Sequence, residues 1–64
     1  MEWVKVNNAR PEFGELCVIR TEDDEYRVAE FSLLRRTIPV FIASKHDVYL
    51  VSEVTHWARL ELPK

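Results

Sequence analysis

Short apolar runs separated by clusters of charge, Asn, Pro and Gly mark this chain from end to end. Trp3-Val4-Lys5-Val6 is aromatic and β-branched and stops at Asn7-Asn8, which bond their own backbone and tolerate left-handed conformations. That predicts a first short strand. Arg10-Pro11-Glu12-Phe13-Gly14 predicts a tight loop, with Pro11 fixing φ and the single Gly of the chain able to supply a positive φ if the turn demands one. Glu15-Leu16-Cys17-Val18-Ile19-Arg20, too short for an independent helix, predicts the second strand. The acidic run Glu22-Asp23-Asp24-Glu25 predicts a solvated hairpin tip, after which Tyr26 to Phe31 returns as the third strand.

Residues 29–36 are ambiguous, because Phe31 and Leu34 lie three apart and Leu and Arg favour helix. One short helix near 32–36 is allowed, and Thr37-Ile38-Pro39 stops anything longer, since a residue before proline is pushed out of the helical region. Further runs, Pro39 to Ala43, Val48 to Val51 and Val54 to Leu60, predict a fourth, fifth and sixth strand with breaks at residues 44–47 and 52–53. The fold class is mainly β: a small antiparallel meander or partly open SH3-like barrel, with α+β as the alternative if the helix forms. The chain, residues 1–64, reads as a single small domain.

Two of these runs bear on assembly. Val40-Phe41-Ile42 and Val48-Tyr49-Leu50-Val51 do not alternate apolar with polar, and successive side chains of a strand point to opposite faces. Both faces of those strands are therefore hydrophobic. One face fills the core and the other needs a cover that a chain of 64 residues cannot itself supply. A domain this small buries only about 60% of its unfolded surface, so a homo-oligomer, most simply a dimer, is expected.

Composition narrows the setting. The chain is 47% hydrophobic and 31% charged with one Gly, which argues against disorder. Nine Lys plus Arg against eleven Asp plus Glu give a formal charge of −2, without the basic surplus that phosphate binding requires, so nucleic acid is disfavoured as a partner. Residues 1–32 carry eight acids and four bases, whereas residues 33–64 carry three acids and five bases. No apolar run reaches the roughly 18 residues of a membrane span, and Met1-Glu2-Trp3 lacks the features of a signal peptide. The single Cys17 forms no intramolecular disulfide, and the expected location is the reducing cytoplasm.

Candidate chemistry is sparse. His46 and His56, with Cys17 as a third and softer ligand, are the candidates for a metal, and they lack the paired spacing of a structural zinc site. Cys17 lies between Leu16 and Val18 in a predicted strand, the setting of a buried, inert thiol. No nucleophile elbow, Walker loop or dinucleotide fingerprint is present, so no enzyme and no cofactor are expected. Trp3 and Trp57 meet across the sheet if the first and last strands are neighbours. An alternative places Trp3, Trp57 and Tyr49 in an exposed aromatic pocket for a ligand or peptide with Arg59 supplying a charge, and a binding surface of Trp57, His56, Arg59, Tyr49 and Phe41 takes a small molecule or nucleotide between subunits.

The opening Trp3-Val4-Lys5-Val6 with Pro11 and Gly14, then Leu16-Cys17-Val18-Ile19 and the late Val54-Thr55-His56-Trp57, resembles the small domain-of-unknown-function 551 family of bacteria, phages and prophages. That family usually follows the late tryptophan with Met-Pro and a proline-rich tail, where this chain has Ala58-Arg59 and Glu61-Leu62-Pro63-Lys64. The resemblance implies a small phage- or prophage-type accessory protein whose partner is a host or phage protein, and it singles out His56 and Trp57. It implies no mechanism.

Overall fold

A computed structural model describes residues 2–60 as one six-stranded antiparallel sheet: β1 (Val4–Lys5), β2 (Leu16–Thr21), β3 (Tyr26–Leu34), β4 (Ile38–Ser44), β5 (Asp47–Leu50) and β6 (Val54–Arg59). The order across the sheet is β1-β6-β2-β3-β4-β5. Strands β2 to β5 form a meander, and β6 crosses back to pair with β2, which leaves β1 and β5 as short open edges. The expected mainly β class holds, and its geometry is an open sheet.

Short turns fix the meander. At the acidic tip, Thr21 N donates to Glu25 O (2.9 Å), Asp24 N donates to Thr21 O (3.0 Å), and Asp24 takes φ 62°. At the opposite end of β3, Thr37 N donates to Leu34 O (3.1 Å) around Arg35 and Arg36, with φ 52° and 65°. Two consecutive positive φ values match the twist of a hairpin, so β3 runs extended to Leu34 and no helix forms at 32–36. Pairing of Leu33 with Pro39 and Leu34 with Ile38 outweighs the helical preference of Leu and Arg. Among the described residues the one helical turn is a 3-10 turn at Val51–Glu53, begun where Leu50 N donates to Glu53 Oε1 (2.9 Å).

Strand parity then sorts the side chains. One face, here called inner, carries Cys17 and Ile19 from β2, Ala29 and Phe31 from β3, Phe41 from β4 and Trp57 from β6, joined by Val6 and Val54 in the core. Val54 reaches this side because the β2–β6 register shifts between Arg20 and Thr21. The loop from Asn7 to Glu15 covers the inner face. Pro11 is buried, Phe13 stacks on Phe31 (centroids 4.9 Å, planes 5° apart), and Trp57 Nε1 donates to Ala9 O (2.8 Å). Gly14, at φ 87°, turns the chain so that its N–H reaches Phe31 O (2.7 Å) and Glu15 O accepts from Phe31 N (3.1 Å).

The two tryptophans do not meet, although β1 and β6 are neighbours with Val4 opposite Trp57. Trp57 enters the core, while Trp3 packs on Tyr26 (centroids 5.7 Å), whose partner Arg20 lies on the other face.

Candidate functional site

The Asn7–Glu15 loop covers the inner face, whereas the outer face leaves Val28, Leu16, Leu34, Ile38, Val48 and Leu50 exposed. The strand register lays its side chains in rows. One row runs Ala58, Val18, Val28; the next Leu16, Glu30, Ile42, Val48; then Ser32, Val40, Leu50; and last Leu34, Ile38. Each row joins directly opposed residues, so their side chains stand roughly 5 Å apart and form a continuous surface. Ala58 and Val40 are buried yet lie outside the main core cluster, and Val18 and Ile42 are half-buried. Val28 is 52% exposed and Leu50 46%, with Leu16, Leu34, Ile38 and Val48 also exposed. Glu30 is the one carboxylate within these rows.

Two charged tips bound this face. β3 is nine residues long, which at ~3.3 Å per residue separates the acidic tip from Arg35-Arg36 by roughly 30 Å. The acidic tip leans toward the outer face, since Asp24 Oδ1 accepts from Arg20 Nη2 at 2.6 Å and Arg20 shares that face with His56 and Tyr26. Glu25 pairs with Arg27 (2.7 Å). Glu22 and Asp23, like Arg35 and Arg36, make no side-chain hydrogen bond or ion pair with another described residue.

The residues singled out by sequence fall on both faces. Trp57 and Phe41 are core side chains of the inner face. Tyr49, opposite Phe41, is half-buried against that core, and burial, then the charge of Asp47, raise its phenol above the usual range. Arg59 is exposed on the inner side and bonds Glu15, whose carboxyl that bond holds below the usual range. His56 is half-buried on the outer face, its Nδ1 3.0 Å from Thr55 Oγ1. Trp57, His56 and Arg59 therefore do not converge on one pocket within a single chain.

Cys17 is fully buried on the inner face, with its Sγ donating to Ala29 O at 3.5 Å. Burial, aided by the nearby Glu15 charge, pushes its thiol up to about 11. His46 is exposed in the β4–β5 turn, separated in the sheet order by β3 from Cys17 and by β2 and β3 from His56. Among the described residues no group of three or more His, Cys, Asp and Glu side chains gathers to hold a metal ion, and no helix is long and apolar enough to cross a membrane.

Leu16, Val18 and Val28 extend the apolar face beyond the two runs, 40–42 and 48–51, that the sequence pointed to. Their signal was present: Val28 is one residue from Ala29 and three from Phe31, so it must face away from both once the strand is extended. Comparison with known protein families, curated proteins and solved structures gives no match to this chain.

Proposed function

We propose that this chain is a non-enzymatic binding protein that works through its outer sheet face, by self-association and by contact with another protein. The observation that carries the reading is the set of in-register apolar rows from Ala58 to Leu50, on a sheet whose opposite face is already filled. Charged residues are sparse within those rows and concentrated at their ends, the arrangement of an apolar interface core with a polar rim. The resemblance to the domain-of-unknown-function 551 family adds the phage- or prophage-type accessory setting, with a host or phage protein as the second partner.

Sedimentation equilibrium tests the reading. Across micromolar to millimolar concentrations the 7.6 kDa chain is expected to shift toward twice that mass, and the variant Val28→Ser/Leu50→Ser is expected to stay monomeric. Equal masses for the two proteins at every concentration would contradict it.

A further inference from the structure

If the outer face is an interface, as proposed above, the charges at its ends specify how a second copy sits. We propose that two copies pack outer face to outer face with their strands antiparallel, so that the Glu22-Asp23 tip of each lies against the Arg35-Arg36 tip of the other. The inference rests on that reading of the face and adds its occupant and orientation.

Closed pairing of like faces requires a two-fold axis lying in the interface plane. An axis running along the strands would set acidic tip on acidic tip and arginine on arginine. An axis running across the strands reverses one copy and sets acid on arginine at both ends. Opposite charges brought together favour the second arrangement, and like charges oppose the first.

The apolar rows fit the same axis. Placed between the row of Leu16, Glu30, Ile42 and Val48 and the row of Ser32, Val40 and Leu50, it brings Val28 over Leu34 and Val48 over Leu50 of the second copy, with Ile42 above the position of the fully buried Val40. Glu30 then faces the hydroxyl of Ser32, and the two Glu30 carboxylates avoid one another. Packed sheets cross at about 30°, which adjusts these pairs without reversing them. Principal extents of 31 × 27 × 22 Å leave a face broad enough for the ~800 Å² per partner of an ordinary interface.

The arginine turn supplies a further reason. Arg35 and Arg36 both hold positive φ, where Asn and Gly are at ease and a long side chain is strained. Two arginines at those positions carry charge at some cost to the hairpin, and neither charge is used within the described residues.

Charge exchange between the tips tests the arrangement. Glu22→Lys/Asp23→Lys makes both tips basic, and Arg35→Glu/Arg36→Glu makes both acidic. Each variant alone is expected to self-associate about tenfold more weakly than the parent chain, and an equimolar mixture to regain the parent affinity. Added salt is expected to weaken the parent dimer. Thermal melts followed by circular dichroism confirm that both variants fold, since the four positions are exposed turns. A dimer whose affinity is unchanged in the single variants, or strengthened by salt, would overturn the antiparallel arrangement while leaving self-association intact. A parent chain that stays monomeric at every concentration would overturn both.

Discussion

Phe41 and Ile42 are consecutive in β4, yet the first is wholly buried against Phe31 (centroids 4.9 Å) and the second is half-buried on the opposite face. The same contrast divides the whole sheet. On the inner face a nine-residue loop lays Pro11 and Phe13 over the strands and ties itself down through Trp57 and Phe31. On the outer face the side chains are equally apolar, and although Val40 and Ala58 are fully buried, Val28, Val48 and Leu50 stay exposed. Both faces derive from one hydrophobic pattern, and the exposure left at Val28, Val48 and Leu50 separates the candidate interface from the core. Apolar character alone therefore does not mark the interface; it is marked by apolar character left exposed.

Breaking the contrast at its strongest point means removing a large inner side chain. Trp57→Ala loses a buried ring and the hydrogen bond to Ala9, and is expected to lower stability by about 3–5 kcal/mol. Val28→Ser on the outer face is expected to change the stability of the monomer by less than about 0.5 kcal/mol. Urea unfolding at dilute concentration checks both values, and equal losses from the two variants would erase the distinction between the faces.

Alkaline pH probes the inner face alone. The folded chain holds the Cys17 thiol at about 11, above the ordinary value near 9, so the native state keeps a proton that the unfolded chain releases. This contribution is fully present below about pH 9 and is lost as pH rises toward 11, amounting to roughly 3 kcal/mol. Tyr49, raised by burial and by Asp47, adds a loss of the same sign. Urea midpoints measured from pH 8 to pH 10.5 are expected to fall, and to fall less in Cys17→Ala.

A smaller effect is expected at the arginine tip. Arg35→Asn/Arg36→Gly relieves two positive φ values and is expected to raise monomer stability by about 1 kcal/mol. The same variant removes the charges proposed to hold the second copy, so stability and self-association are expected to move in opposite directions. Thermal melts and sedimentation on one preparation read both.

Much of this architecture is legible in the sequence, for stated reasons. The strands from Leu16 and Tyr26 and the tip between them follow from β-branched runs broken by four acids. Gly14 was readable as a turn position because glycine takes positive φ without strain, whereas the positive φ values of Asp24, Arg35 and Arg36 carried no glycine to mark them. The stretch 32–36 was not readable, because helix propensity is local whereas the pairing of Leu33 and Leu34 with β4 is not. Trp57 could not be assigned to one face by its neighbours alone, since β1, β2 and the Asn7–Glu15 loop all meet around it. The candidate face was legible only where both parities of one run are apolar, in β4 and β5. Its extension to Val18 and Val28 required the register.

Solvent access to the methyl groups of the two faces tests the central claim most directly. With a soluble paramagnetic agent present, relaxation of the Val28, Val48 and Leu50 methyls is expected to slow as protein concentration rises, while that of Ile19 stays constant. Outer-face methyls that remain equally accessible from micromolar to millimolar protein would contradict the claim that this face is where the chain binds.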